Sequence, residues 1–179
     1  MLLEYKGYKP KIGKNVFIAL TATVIGNVEI KNGASIWYGT VVRGDRSAIT
    51  VGENSNIQDN CTVHSDPGKP AIIGDNVTVG HNAVIHACTI EDDCIIGINA
   101  VVLTNAYVKT GSVIAAGSVI KQNQVVGPYH LMVGIPATLK KELSKVSVEQ
   151  HRGTAESYSK LALEHMAIKK AGKQSGFSC

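Results

Sequence analysis

Residues 89–120 read TIEDDCIIGINAVVLTNAYVKTGSVIAAGSVI, and from Ile90 onward an isoleucine or valine stands at every sixth position. The same column of β-branched residues extends back through the chain with short interruptions. Its members are Ile12, Ile18, Val24, Ile30, Ile36, Val42, Val51, Ile57, Val63, Ile73, Val79, Ile85, Ile90, Ile96, Val102, Val108, Ile114 and Ile120. A six-residue period does not fit the 3.6-residue turn of a helix, and β-branched residues favour strands. The column therefore predicts one short strand in every unit.

Two further columns describe the rest of each unit. Asparagine, aspartate or glycine usually follows the column residue by three positions, as at Asn27, Gly33 and Asn60, and these types tolerate a left-handed backbone. A small or β-branched residue, such as Ala34 or Cys61, usually follows by four. Since a strand and corner of six residues cannot bury an aliphatic face alone, the units must stack into a solenoid.

The repeat from about residue 11 to residue 120 resembles the hexapeptide-repeat proteins. That resemblance implies a mainly β fold, a left-handed parallel β-helix of triangular section, with three units in each coil. When successive residues of the column are assigned to the three faces in turn, Ile12 lies on the first face, Ile18 on the second and Val24 on the third. Extra residues interrupt the period at 44–49 and 65–71, and one residue is missing between Ile85 and Ile90.

Four segments are expected along the chain. They are an N-terminal lead-in at 1–10, the β-helix at 11–137, a C-terminal helical segment packing on it at 138–171, and a flexible tail at 172–179. The α-helix should begin at Ser147 or Thr154 and end near Lys170. Its apolar face is predicted from helical spacing to hold Tyr158, Leu161, Ala162, His165 and Met166.

Composition excludes several classes of function. The net charge of +4 comes partly from scattered C-terminal lysines without interleaved aromatics, so we expect no nucleic-acid partner. The N-terminal apolar run is too short for a signal peptide and no 18-residue apolar stretch follows, so we expect no membrane partner and a cytoplasmic protein. The four cysteines include no CxxC pair and are expected to be small buried residues rather than disulfides.

Three histidines fall within 23 residues of the repeat, and the period assigns them to faces. His64 and His86 each follow a third-face column residue by one position, so they point outward and stack on successive coils, with Arg43 on the coil below. His81 follows its column residue by two positions, near a corner of the second face. A threefold oligomer could bring the second face of one subunit against the third face of the next.

Three neutral imidazoles with an open fourth position are typical of a catalytic zinc site. The alternative for any one surface histidine is that it is merely solvated or hydrogen-bonded, and His130, His151 and His165, which have no such register, are interpreted in that way. For the other three, two histidines in register favour a metal site between subunits.

At these positions the chain resembles the gamma-class carbonic anhydrase family. The resemblance rests on the Arg43-Gly44-Asp45 triplet, the run at 56–60 that leads to His64, and the spacing of His81 and His86. It implies that His64, His81 and His86 bind Zn²⁺, or Fe²⁺ or Co²⁺, between the subunits of a homotrimer. It also implies a lyase that reversibly hydrates CO₂ to bicarbonate through a metal-bound hydroxide.

The resemblance assigns roles to further residues. Gln58 would orient the water and bicarbonate, and Asp59 would be an interface acid beside the site. Arg43 and Asp45 would pair across the subunit interface, with Arg43 also able to hold bicarbonate. Tyr158 is similar to a tyrosine that the C-terminal helix brings near the metal.

This chain departs from the family's best-studied pattern in two places. Those enzymes carry an acid just after the Asp45 position and a longer acidic loop after the first histidine, one of whose glutamates shuttles protons. Here Arg46 and the short loop 65–70 stand instead, so slow hydration is expected. The alternatives are a hexapeptide acyltransferase with one histidine as general base, an acyl-CoA thioester hydrolase, and a non-catalytic trimeric metal-binding module.

Overall fold

In the computed structural model, which describes residues 1–174, short parallel strands wind into a β-solenoid of about seven coils. Its twenty strands are β1 (Leu2–Leu3), β2 (Lys11–Ile12), β3 (Phe17–Ile18), β4 (Thr23–Ile30), β5 (Ser35–Ile36), β6 (Val41–Val51), β7 (Asn56–Ile57), β8 (Thr62–His64), β9 (Ala71–Ile73), β10 (Thr78–Val79), β11 (Val84–His86), β12 (Thr89–Ile90), β13 (Ile95–Ile96), β14 (Val101–Val102), β15 (Tyr107–Val108), β16 (Val113–Ile114), β17 (Val119–Ile120), β18 (Val125–Val126), β19 (His130–Gly134) and β20 (Ala137–Glu142). One helix, α1 (Lys145–Gln174), follows them. The mainly β hexapeptide-repeat fold with a C-terminal helix is thus confirmed.

The strand pairing follows the predicted register on all three faces. On the first face β2, β4, β6, β9, β12, β15 and β18 pair in that order, and Val126 extends the column by one coil. The second face runs from β3 through β5, β7, β10, β13 and β16 to β19. The third carries β4, β6, β8, β11, β14 and β17. Because β4 and β6 bend around a corner, each contributes to both the third and first faces.

The core is a narrow column of aliphatic side chains along the solenoid axis. From Val24 onward every predicted column residue is buried, whereas Ile12 and Ile18 on the first coil stay partly exposed. The small residues that complete each unit, including Ala34 and Cys61, are buried between the strands. Branched side chains alternating with small ones fill the interior of the triangle without bulky aromatics.

Left-handed residues form the corners, mostly where the sequence predicted them. Asn54, Asn60 and Asn82 adopt φ of 56°, 59° and 59°. Asn27 is the exception, because Gly26 has the positive φ, 76°, instead. At this point β4 continues around the corner beside β6, and the pairing shifts between Gly26 and Val28, so the turn is a bulge in a continuous strand.

The C-terminal region differs from the expected segments in its details. Residues 138–142 form most of β20, which pairs antiparallel with β19, so the segment expected to be helical begins with a strand. The repeat gave no sign of this hairpin because β20 lies outside it. Helix α1 begins at Lys145, before either predicted start, and continues to Gln174. Residues 172–174 of the expected tail belong to α1, and 175–179 lie outside the described residues.

Helix α1 packs along the second face, where it contacts β3, β5, β7 and β10. Its inward stripe consists of His151, Ala155, Tyr158, Ala162, His165 and Met166. Leu161, predicted on the apolar face, is 37% exposed because it lies off this stripe. Near the start of the helix, the Arg152 guanidinium makes two 2.8 Å hydrogen bonds to the Asp93 carboxylate.

The buried cysteines give a chemical test of the coil packing. Cys61, Cys88 and Cys94 are free and buried, and burial raises the pKa of each thiol to about 12. The thiolate is the reactive species. We therefore expect that, of these three thiols, under about 0.1 per native chain reacts with Ellman's reagent in an hour at pH 8.

The Cys179→Ser variant restricts the measurement to these three thiols. All three should react at once in guanidinium chloride. Rapid stoichiometric reaction of any of them in the native protein would contradict the packing.

Candidate metal centre

The outward row of the third face brings two of the predicted ligands together. Arg43 pairs in register with His64, and His64 pairs with His86, which confirms the stack expected from the period. The two imidazole rings lie 5.2 Å apart between centroids, about one coil spacing. The strand ladder rather than a loop therefore sets the distance between these histidines.

Asp45, which is itself bonded to Arg43, holds the His64 ring. Its Nε2 lies 2.9 Å from Oδ1 of Asp45, whose Oδ2 accepts a 2.6 Å hydrogen bond from Arg43. Burial opposes ionisation of Asp45, but the hydrogen bonds from His64 and Arg43 and the Arg43 charge hold the pKa of this carboxyl below its usual value. Since a carboxylate only accepts, the proton of neutral His64 is on Nε2, and Nδ1 keeps its lone pair.

Arg43 and Asp45 therefore pair within one chain. They are two residues apart on the extended strand β6, so both side chains point to the same outer side. The pairing across a subunit interface that the resemblance implied stays a prediction. The Arg43 side chain is 42% exposed, and its guanidinium has further N–H groups available for an anion.

His86 is held by a hydroxyl and a second acid. Its Nδ1 lies 3.1 Å from Oγ1 of Thr104, and the Thr104 hydroxyl donates a 2.8 Å hydrogen bond to Oδ2 of Asp66. The direct separation between His86 Nδ1 and the Asp66 oxygen is 3.8 Å, too long for a hydrogen bond. We call Arg43, Asp45, His64, Asp66, His86 and Thr104 the third-face group.

The remaining nitrogens of the two rings face one another. His64 Nδ1 lies 3.3 Å from His86 Nε2. Two ligands of a tetrahedral zinc ion, each with a bond of about 2.0–2.1 Å, would be separated by about 3.3–3.4 Å. Metal-ligating histidines commonly bond a carboxylate or another oxygen through the second ring nitrogen. The donor set of His64 and His86 thus fits two ligands of such an ion.

The third predicted ligand belongs to a separate cluster on the second face. His81 Nδ1 lies 2.9 Å from Oδ2 of Asp59, and both side chains are accessible, with 40% and 33% of their surfaces exposed. The two residues stack because β7 and β10 pair in register. As with His64, the carboxylate engages one nitrogen and leaves the other, Nε2, available.

Gln58 and Tyr158 lie on the same side of the solenoid as His81. The buried Gln58 amide donates a 3.1 Å hydrogen bond to Asn56, which in turn donates to Thr78 at 2.9 Å. Burial, and then the negative charge of Asp59, raise the pKa of the Tyr158 hydroxyl. We call Gln58, Asp59, His81 and Tyr158 the second-face group.

Aromatic packing fixes α1 where it carries Tyr158. The Tyr158 ring meets Trp37 edge-on, with a centroid distance of 5.4 Å and an interplanar angle of 87°. The His165 ring, about two turns further along α1, has its centroid 5.0 Å from that of Trp37. Trp37 also contacts Phe17 at 5.1 Å, while the Tyr38 hydroxyl lies 2.9 Å from His165 Nδ1. Trp37 is buried beneath the helix and is the common contact of this cluster.

Comparison with known proteins shows the family of the chain. The family model for the bacterial transferase hexapeptide (six repeats) matches residues 87–122. "Gamma carbonic anhydrase 1, mitochondrial" from Arabidopsis thaliana is 42% identical over 164 residues, which cover 88% of this chain and 60% of the plant protein. "Probable carbonic anhydrase" from Methanocaldococcus jannaschii is 46% identical over 151 residues, which cover 84% of this chain and 95% of that protein.

The chain belongs to the gamma-class carbonic anhydrase family. It spans about 60% of the length of the plant relatives. A Bacillus cereus structure provisionally described as an acetyltransferase superposes with a TM-score of 0.91 at 36% identity, covering 94% of this chain and 98% of that one. The helix of this family member is not long and apolar enough to cross a membrane, within the part of the chain that is described.

In this member of the gamma-class family, a single chain does not gather all the predicted ligands. Among the described residues, no group of three or more histidine, cysteine, aspartate or glutamate side chains could hold a metal ion. His64 and His86 lie in the third-face group, and His81 lies in the second-face group. The ligand assignments therefore stay predictions that depend on an oligomer.

Sequence reasoning gave no role in these two groups to four residues that shape them: Asp66, Thr104, Asn56 and Trp37. Thr104 follows a third-face column residue by two positions, which is the offset of His81 on its own face, so its place near a corner was readable. Nothing in the period indicated its contact with Asp66, because Asp66 lies in a loop outside the repeat.

The aromatic cluster predicts that Trp37 controls the position of Tyr158. Replacing Trp37 with alanine removes the ring that α1 packs against, so amides in 154–166 should exchange with deuterium about tenfold faster or more. Peptides from β8 and β11, on the third face, should be unaffected. Hydrogen-exchange mass spectrometry measures both.

The matched control is Leu163→Ala, because Leu163 is 56% exposed on the outer side of α1 and should leave exchange unchanged. Equal protection of α1 in the Trp37→Ala variant and the parent protein would contradict this account of how the helix is anchored.

Proposed function

We propose that this chain is a gamma-type carbonic anhydrase, a lyase that reversibly hydrates CO₂ to bicarbonate at a three-histidine metal centre between the subunits of a homotrimer. His64 and His86 would come from one subunit and His81 from the next. The observation that carries the proposal is the facing of His64 Nδ1 and His86 Nε2 at 3.3 Å, with each ring bonded to an oxygen partner on its other nitrogen.

Zn²⁺ is the proposed metal, with Fe²⁺ or Co²⁺ as family alternatives, and such an ion supplies a Lewis acid that lowers the pKa of its bound water to about 7. The chain's own part is to hold neutral imidazoles in the right tautomers. Asp45 does so for His64 and Asp59 for His81, because each carboxylate accepts a hydrogen bond from the N–H of one ring nitrogen.

Gln58 and Tyr158 of the second-face group, and Arg43 of the third-face group, would bind and orient the small substrates. Gln58 is an uncharged donor and acceptor, and its bond to Asn56 limits the directions its amide can take. Arg43 would hold bicarbonate through N–H groups that Asp45 does not use. Tyr158 would offer a hydroxyl that stays protonated, since its pKa is raised.

Proton removal would be the weak point of this chain. The short loop 65–70 contains one acid, Asp66, and its carboxylate already accepts a hydrogen bond from Thr104. Arg46 occupies the position after Asp45 and cannot accept a proton at neutral pH. Asp59, Asp45 or buffer would then carry the proton more slowly than a dedicated glutamate.

The acyltransferase, thioester hydrolase and non-catalytic readings remain outcomes of the tests. The B. cereus relative gives an acetyltransferase some support, although its description is itself provisional. A general base needs one histidine, and that reading gives no reason for two imidazole lone pairs to face each other. The cytoplasmic location expected from the sequence also stays a prediction, to which the buried free thiols lend support.

A subunit-mixing experiment tests the shared site. His81→Ala and His64→Ala homotrimers should each lose metal without loss of the solenoid fold, because both side chains point outward. After subunit exchange at equal amounts, about one quarter of interfaces would combine an intact His64–His86 pair with an intact His81, so metal content should recover to about one quarter of the parent value.

His130→Gln is the control, since His130 lies outside both groups and its replacement should keep full metal content. No recovery on mixing, with exchange verified by native mass spectrometry, would contradict a site built from two subunits. A monomer by sedimentation at micromolar protein would do the same.

Stopped-flow CO₂ hydration on protein of measured metal content tests the activity. We expect measurable turnover with kcat/KM roughly 10- to 1,000-fold below the diffusional ceiling of about 10⁸ M⁻¹s⁻¹. The value of kcat should rise with buffer concentration, because buffer takes over proton removal. His81→Ala should show only the uncatalysed rate. Equal rates for the metal-loaded parent and His81→Ala would contradict the carbonic anhydrase proposal and favour a function with acyl-CoA substrates or a non-catalytic module.

A further inference from the structure

The contacts of His86 differ in kind from those of the other two histidines. His64 and His81 each meet a carboxylate directly, at 2.9 Å in both cases. His86 instead meets the hydroxyl of Thr104, and the nearest carboxylate, that of Asp66, lies beyond it. Thr104 is only 6% exposed, so water does not readily replace it as a partner.

The direction of the hydrogen bonds follows from one proton. A threonine hydroxyl has a single O–H, and here it is donated to Asp66, which as a carboxylate can only accept. The Thr104 oxygen then presents only lone pairs to His86 Nδ1. His86 Nδ1 must therefore carry the ring proton, and Nε2, the atom facing His64, is left unprotonated.

Backbone hydrogen bonds close the loop that bears Asp66 into a turn. Residues Asp66 and Lys69 exchange backbone hydrogen bonds of 3.2 and 3.0 Å around Pro67 and Gly68, and Gly68 has φ of 70°. Proline followed by glycine with positive φ is the pattern of a type II turn. Just before the turn, the buried Ser65 hydroxyl donates to the Ser47 carbonyl at 2.8 Å.

We propose that Thr104 and Asp66 are positioning residues that fix His86 in its Nδ1–H tautomer, so that its Nε2 is presented beside His64 Nδ1. The inference rests on the proposed metal site. It gives the short loop 65–70 a task other than proton transfer, because the loop's only acid is committed to Thr104. Asp66 acts through Thr104, since its own oxygen is 3.8 Å from the ring.

Cobalt titration of the full-length, metal-free oligomer is the first test. Thr104→Val keeps the shape of the side chain but cannot relay the hydrogen bond, so Co²⁺ affinity should fall about 10- to 100-fold, the usual effect of losing such a partner. Thr104→Ser restores the hydroxyl and should remain within about threefold of the parent. Asp66→Asn removes the acid and should weaken binding by an intermediate factor.

Thr89→Val is the matched control, because Thr89 lies on β12 of the first face, whereas His64 and His86 lie on β8 and β11 of the third face. It should bind Co²⁺ like the parent. If Thr104→Val also binds like the parent, within about twofold, the positioning role is overturned.

The tautomer of His86 in the metal-free oligomer is the second readout, measured by long-range ¹H–¹⁵N NMR with ¹⁵N-histidine. We expect Nδ1–H in the parent and Thr104→Ser, and a mixture or Nε2–H in Thr104→Val. Nε2–H in the parent would overturn the inference whether or not metal binds. A parent protein that binds no metal but shows this tautomer pattern would instead contradict the proposed function and support the positioning role of Thr104 and Asp66.

Discussion

The parallel backbone ladder between successive coils sets the spacing of the stacked side chains in the candidate site. Each coil lies about 4.8 Å from the next, and residues at the same phase stand directly above one another. The pairing of Arg43 with His64 and of His64 with His86 is one instance, and the stacking of Asp59 under His81 is another. Side chains of the candidate site thus inherit their spacing from main-chain hydrogen bonds, and the buried β-branched column keeps that ladder in register.

Departures from the six-residue period are absorbed where they leave the ladder intact. The extra residues before Val51 enter β6 at a corner, and those after His64 form the turn at 66–69. The missing residue before Ile90 is compensated at Ala87, which adopts φ of 47°, while Ile90 still pairs with Ile73. A change in the length of such a loop would therefore leave the stacked histidines in their positions.

The same distinction explains what could be predicted from the sequence. The phase of the repeat predicted all three faces, the buried column, and the His64–His86 stack with Arg43, because each is a consequence of register. It could not predict features outside the repeat, such as the β19–β20 hairpin, the position of Leu161 off the buried stripe, or the contact between Asp66 and Thr104. Those depend on side-chain rotamers and on loops whose ends are near in space but far apart in sequence.

The ladder also limits how a solenoid can build a three-histidine centre. Two rings stacked on adjacent coils can place nitrogens 3.3 Å apart, as His64 and His86 do. A third ring in the same column would stand a further coil away, about 4.8 Å beyond its neighbour, and could not join them around one ion. The next positions in this column belong to Arg43 and, by register, Leu103. The remaining ligand of the proposed centre would have to come from elsewhere, and a neighbouring subunit that presented His81 at an exposed corner would meet that requirement without disturbing the coil.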